Sequence, residues 1–177
     1  EQRSLLHGVD FTLQHGAILG VVGRTGAGKS SLLKLLMRLA NPTAGAITMG
    51  GVPIDQLPLG TLRNQFAYVP QEPFLFSTTI AANIALGKPE ASQEEIERVA
   101  RIACVHDDIV RFPRGYQTEV GEKGVTLSGG QKQRLAIARA LLLDAPILVL
   151  DDALSAVDAH TEQQILLALK AHRRTLI

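Results

Sequence analysis

The chain has 177 residues, 46% of them apolar, and 18 Lys and Arg stand against 17 Asp and Glu for a formal charge of +1. This length allows one well-buried α/β core with room for a small second lobe, and so even a charge carries no footprint of a nucleic-acid binder. The longest apolar run, Leu135 to Leu150, is broken by Arg139, Asp144 and Pro146 and is too interrupted for a membrane span. The single Cys104 excludes an intrachain disulfide or a Cys-rich metal site and reads as a small buried hydrophobe. No cleavable signal pattern opens the sequence, so a cytosolic compartment is expected.

In chain order, Leu5 to Leu13 alternates loosely as a strand would, and Gln14-His15-Gly16 turns the chain into a second apolar strand, Ala17 to Val22. A glycine-rich octapeptide, Gly23 to Ser30, follows. Ser31 to Ala40 then carries Leu32, Leu33, Leu35, Leu36 and Leu39, with Lys34 and Arg38 one turn apart, so a mostly buried helix is expected. Asn41-Pro42 ends it. Ala46 to Met49 and Val52 to Ile54 read as a hairpin around Gly50-Gly51. Phe66 to Val69 is a strand stopped by Pro70. Helices are expected at Thr79 to Leu86, at a capping box formed by Ser92 and Glu95 ahead of Ile96, Val99, Ala100 and Ala103, and at His106 to Phe112. After a glycine-rich stretch come a strong helix, Gln131 to Leu143, and the wholly apolar strand Ile147 to Leu150, of the kind buried in a parallel sheet. Asp158 to Lys170 is a last helix, and Thr175 to Ile177 opens another strand. The chain thus reads as an α/β core split by a helical insertion, Pro73 to Thr126.

Three motifs carry chemistry. The first, Gly23-Arg24-Thr25-Gly26-Ala27-Gly28-Lys29-Ser30, lies between a strand and a helix, the context a phosphate-binding loop requires. Glycines let the backbone turn tightly and lay its N–H groups against phosphate oxygens, and the following helix adds the positive end of its dipole. Lys29 is placed to reach the β- and γ-phosphates, and the Ser30 hydroxyl to ligate Mg²⁺. The second, Leu127-Ser128-Gly129-Gly130-Gln131, offers another set of N–H donors at a helix start, hence a second phosphate site. A site shared between two molecules accommodates both loops. The third is Asp151-Asp152 at the C-terminal end of a buried strand, where ligands of open α/β sheets bind; Asp151 fits a Mg²⁺-organising carboxylate.

Together with Gln71 after a strand and Ser155-Ala156-Val157-Asp158 after the carboxylates, the set GRTGAGKS, LSGGQKQR and ILVLDD resembles the nucleotide-binding domain of ABC transporters. The resemblance covers nearly the whole chain. It implies an α/β P-loop NTPase fold with a mainly parallel sheet, a small antiparallel β-subdomain in the early strands and an α-helical subdomain at residues 73–126. It also implies ATP and Mg²⁺ as cofactors. The nucleotide-binding set it carries over is Gly23, Thr25, Gly26, Ala27, Gly28, Lys29, Ser30 and Ser31, the last at the α-phosphate. Ser30, Gln71 and Asp151 would address the metal, with Gln71 also facing the membrane partner. Ser128, Gly129, Gly130 and Gln131 would address ATP held by an opposing subunit, and Asp158 would lie between the sites. Taken alone, Gln71 would be a solvated loop residue and Asp158 a helix N-cap. Gln71 to Phe76, Thr79 to Ile84 and Thr118 to Gly124 look like the exporter branch, in which Glu122 would touch the membrane domain and Phe74, Leu75 and Phe76 would form an apolar floor to the same interface.

Two departures from the family pattern stand out. The adenine-stacking aromatic expected before the first strand and the switch histidine expected after the last fall outside Glu1 to Ile177, so a single domain cut from a longer chain at both ends is expected; His7, His15, His106, His160 and His172 read as surface or packing residues. The second departure is Asp152, where the family usually has the glutamate that acts on the attacking water. With Lys29 and Gln71 it makes up the expected catalytic set. The function expected is ATP hydrolysis powering export at the cytoplasmic face of the inner membrane, with a transmembrane domain upstream on the same polypeptide and a second nucleotide-binding domain as heterodimer partner. Nucleic acid is not an expected partner. The alternative is an ATP-driven dimerisation switch with little hydrolysis of its own.

Overall fold

The structure is a computed structural model and describes residues 6–121, 125–171 and 174–177. Its elements run α1 (Lys29–Leu36), β1 (Thr48–Met49), β2 (Val52–Pro53), α2 (Leu59–Arg63), β3 (Phe66–Val69), α3 (Ile80–Ile84), α4 (Gln93–Ile102), α5 (His106–Val110), α6 (Gly129–Leu142), β4 (Ile147–Leu150), α7 (Ala159–Ala171) and β5 (Thr175–Leu176), with single 3-10 turns at Ala85–Gly87 and Gly115–Gln117.

The organising sheet is parallel, in the order β3-β4-β5, with Phe66 opposite Ile147 and Val69 opposite Leu150. Beyond β5 the backbone at residues 17–19 joins the sheet through a parallel bridge from Ile18 to Leu176. Successive side chains of a strand point to opposite faces, and here both faces are covered. Ala67, Val69 and Leu148 enter the large core that includes Leu135 and Ile137 of α6. Val149 packs with Leu33 of α1 and with Met37 just beyond it, joined by the partly buried Phe66, Tyr68 and Ile147. That two-sided burial is why β4 consists of four apolar residues in a row. A separate antiparallel pair, β1 with β2, turns at Gly50-Gly51 as the sequence indicates.

Several local expectations need correction. Among the described residues of the Leu5 to Leu13 segment there is no strand, and of Ala17 to Val22 only Ile18 makes a bridge. Apolar alternation alone does not provide a ladder partner, and Val22 is 95% exposed. The helix α1 stops at Leu36 rather than Ala40 because Arg38 takes a left-handed backbone, φ 52°. There its guanidinium donates to the carbonyls of Ile54 and Leu57, at 3.0 and 2.8 Å. Within α1 only Leu33 is fully buried, so the helix is less enclosed than its leucines imply. Finally, α2 has no counterpart in the sequence reading, since five residues after Pro58 are too few to show a helical period.

The helices between Pro73 and Thr126 match expectation more closely. Ser92 and Glu95 form the reciprocal capping box of α4, and Ile96, Val99, Ala100 and Ala103 are buried. Arg139 of α6 ties this region together: its guanidinium donates to the Asn83 carbonyl at 2.7 Å, the Asn83 side-chain oxygen at 3.1 Å and the Phe74 carbonyl at 3.0 Å. Burial pulls its ionisation below the usual arginine range.

Candidate nucleotide site

The phosphate loop leaves the sheet edge at residues 17–19 and feeds directly into α1. Gly26 and Gly28 have φ of 82° and 92°, a region open to glycine at no steric cost, and Gly28 is the N-cap of α1. The loop is closed by Ala27 N–H on the Arg24 carbonyl at 3.1 Å. Lys29 folds across it, its ammonium donating to the carbonyls of Gly23 (2.7 Å) and Arg24 (3.1 Å). Thr25 and Ala27 are exposed, and Ser31 is half-buried on α1. A cation thus lies over the loop that leads into a helix start, a combination that favours anions.

The carboxylates follow from strand geometry. Val149 faces α1, so two residues on Asp151 faces it too. Asp151 is nearly buried, 9% exposed, and continues the ladder through its N–H to the Val69 carbonyl at 2.9 Å. The Ser30 hydroxyl donates to its Oδ1 at 2.9 Å, and the Tyr68 hydroxyl to its Oδ2 at 3.0 Å. Burial first, then that bond and the carboxylate charge, push the Tyr68 phenol up to about 12. Asp152 is exposed, with a left-handed backbone at φ 53°, a conformation aspartate tolerates better than most residues. Its Oδ2 accepts from Gln71 Nε2 at 3.1 Å. Four expected residues therefore pair off, Ser30 with Asp151 and Gln71 with Asp152.

A hydroxyl and a carboxylate side by side suit Mg²⁺, which takes hard oxygens, uses one or two carboxylates, and completes its shell with phosphate and water. Among the described residues there is no group of three or more His, Cys, Asp and Glu side chains placed to hold a metal. The donor set fits a metal brought with a nucleotide better than a resident one.

The second glycine loop, Leu127 to Gln131, here called the signature loop, is built differently. Ser128 caps α6 in a capping box: its hydroxyl accepts from Gln131 N–H at 3.2 Å, while its own N–H donates to Gln131 Oε1 at 3.0 Å. A Cβ on Gly130 would lie 2.7 Å from the Ala156 carbonyl oxygen, so close approach of the 155–157 loop demands glycine there. Buried Gln133 holds that loop from both sides, donating to Ser155 Oγ (3.1 Å) and accepting from Ala156 N–H (2.9 Å). Ser155 in turn donates to the Asp152 carbonyl at 2.9 Å. On the other side, Asp108 of α5 pairs with Arg134 at 2.7 Å and accepts from Gln131 at 3.4 Å. Arg134 also donates to the Cys104 carbonyl. Asp158 accepts from Thr161 N–H at 2.9 Å at the start of α7, a bond that holds its carboxyl below the usual carboxylate range.

Several weaker expectations can be placed as well. Phe74 and Phe76 are exposed and meet edge to face at 5.0 Å, whereas Leu75 turns inward against the large core and is no part of their surface. Glu122 and His172 lie outside the described residues. His106 bonds the Tyr116 hydroxyl at 2.8 Å and His160 the Gln164 amide at 3.1 Å. Cys104 is half-buried rather than enclosed. Sequence reasoning missed Tyr68, Gln133, Asp108, Arg134 and Arg139 as site-shaping residues. For Tyr68 a signal existed: a hydroxyl at the last but one position of a strand that must lie beside the carboxylate strand.

A family model described as ABC transporter matches residues 6–155. The chain belongs to the ABC transporter family. It is 59% identical over 161 residues to the multidrug resistance-like ATP-binding protein MdlA of Escherichia coli, covering 91% of this chain and 27% of that protein. To the ATP-dependent lipid A-core flippase of Chromohalobacter salexigens it is 49% identical over 170 residues, 96% of this chain and 29% of the other. A bacterial Atm1-family ABC exporter solved with ATP bound superposes with a TM-score of 0.93 at 45% identity, over 99% of this chain and 31% of that one. The P-loop NTPase fold with parallel sheet, small antiparallel pair and helices is thereby shown, and the chain spans less than a third of each relative.

Proposed function

We propose that this chain is the ATP-binding and ATP-hydrolysing domain of an ABC exporter for cargo of the drug or lipid class. It works at the cytoplasmic face of the inner membrane, driven by Mg²⁺ and ATP, with a transmembrane domain upstream in the same polypeptide. The observation that carries this is the meeting of Ser30 with Asp151 and of Gln71 with Asp152 just past the C-terminal ends of β3 and β4, where open α/β sheets bind ligands, with Lys29 next to Ser30 at the start of α1. In this reading the loop from Gly23 to Ser30 wraps the phosphates and Ser31 reaches the α-phosphate. Ser30, Asp151 and Gln71 hold the metal, which would neutralise charge on the phosphate oxygens. Residues 73–126 form a helical subdomain that offers Phe74 and Phe76 to the membrane partner.

The reading extends to a heterodimer with a slow site. Aspartate is one methylene shorter than glutamate, and about 1 Å of misplacement can cost roughly 10²-fold in rate. The bond from Gln71 to Asp152 supports this, since it engages the carboxylate that would otherwise address water. The well-formed loop from Ser128 to Gln131 would complete a competent site on the partner, while Lys29 and Asp152 belong to a site that mainly holds ATP. The test compares nucleotide affinity of the intact protein with Lys29→Ala, and single-turnover hydrolysis with Asp152→Glu, each alone and with its partner chain. The expected outcome is a large loss of affinity in the first and roughly 10–100-fold faster turnover in the second. Equal affinities would remove the nucleotide site, and equal rates would leave a plain homodimeric ATPase.

A further inference from the structure

Asp151 accepts two hydroxyls, and only one of them belongs to the phosphate loop. Ser30 donates to Oδ1 from α1, while Tyr68 donates to Oδ2 from β3, at 2.9 and 3.0 Å. The second contact is a product of sheet register. Tyr68 lies opposite Val149, two residues before Asp151, and alternation puts its ring on the α1 side with Phe66. A carboxylate's terminal torsion is broad and roughly two-fold, so one donor leaves the group free to rock. Two donors from separate elements, one on each oxygen, fix its plane. An ionised carboxylate has about four lone-pair positions, so each oxygen keeps capacity toward a cation after accepting one bond.

We infer that Tyr68 is a positioning residue for the Mg²⁺-nucleotide site, orienting Asp151 through its hydroxyl rather than touching nucleotide or metal itself. The inference rests on the reading of Ser30 and Asp151 as metal-facing groups. Packing does not explain the hydroxyl: the ring is only partly buried beside Leu33, Met37 and Val149, and phenylalanine would fill the same space.

The test is Tyr68→Phe in the intact protein, titrated with Mn²⁺ at fixed ATP and followed by Mn²⁺ paramagnetic resonance and by nucleotide affinity with and without metal. Outer-shell partners of metal ligands typically contribute 10-fold or more to metal affinity, so the Mn²⁺ midpoint should rise roughly tenfold. The ATP affinity measured in chelator should match the parent's, which shows that the fold and the phosphate loop are intact. In a background of Asp151→Asn the Tyr68→Phe effect should vanish, because the hydroxyl acts only through that carboxylate. A Mn²⁺ midpoint equal to the parent's overturns the inference and leaves the nucleotide site standing. A parent whose ATP affinity ignores the metal overturns the reading beneath it, and this inference with it.

Discussion

The two glycine loops of this chain are built on opposite plans. Around the phosphate loop, the reactive side chains come from α1, β3 and the residues just past β3 and β4, and they meet in pairs: Ser30 and Tyr68 on Asp151, Gln71 on Asp152. Around the signature loop, the side chains serve the scaffold instead. Ser128 and Gln131 cap each other, Gln133 grips the 155–157 loop, and Asp108 with Arg134 clamps the start of α6. The first plan assembles chemistry within one chain. The second stiffens a helix start whose Ser128 and Gly129 remain exposed, which is what a surface presented to another molecule requires.

If that contrast is right, damage to the second region should register in stability and damage to the first in ligand handling. Arg139→Met should have the largest effect on folding. It removes three donated bonds and strands the part-buried Asn83 carbonyl, while the Asn83 side-chain oxygen keeps the Phe76 N–H; the cost is about 2–3 kcal/mol, or roughly 4–12 °C of thermal midpoint for a domain of this size. Gly130→Ala should come next, at about 1–2 kcal/mol from overpacking, because the backbone carbonyl of Ala156 cannot swing aside as a side chain would. Thr118→Val should go the other way. The Thr118 hydroxyl is buried with no hydrogen-bond partner among the described residues, and removing an unsatisfied polar group should be neutral or stabilise by about 1 kcal/mol. Lys29→Ala should shift the midpoint by no more than about 0.5 kcal/mol while nucleotide affinity collapses. A Lys29→Ala protein as destabilised as Arg139→Met would break the comparison.

The smallest effect concerns pH. Hydrogen bonds from Thr161 depress the Asp158 carboxyl, so its contribution is present above the ordinary aspartate range, near pH 4. It is lost as pH falls through the lower folded-state value. The stability difference between parent and Asp158→Ala should therefore shrink on acidification below about pH 4, read from thermal melts across that range. A difference that grows with acid would mean the carboxylate is no cap.

Much of this was legible in the chain because the relevant signals are local. Ile147 to Leu150 announces a strand covered on both faces, Ser92 with Glu95 announces a helix start, and Gly26 to Ser30 announces a loop that only glycine can turn. What escaped was decided by partners distant in sequence. Tyr68 and Asp151 are 83 positions apart, and only the parallel register of β3 with β4 brings them together. Arg139 looked like a break in an apolar run, yet it is the cation that binds α3 to α6. The early residues misled for the same reason: alternation from Leu5 to Leu13 suggests a strand, but strands form only where a neighbour accepts their hydrogen bonds.

The central claim is that the two loops of one chain serve two different nucleotides. The most direct measurement is sedimentation of the full-length assembly with and without ATP, parent against Ser128→Arg, alongside ATP binding by the same proteins. Losing the Ser128 cap costs about 1 kcal/mol, too little to unfold a domain of ordinary stability, so the added cation is what the experiment reads. Ser128→Arg should bind ATP at its own phosphate loop as the parent does and form no ATP-driven dimer. Dimers as abundant as the parent's, or loss of ATP binding by the isolated subunit, would contradict it.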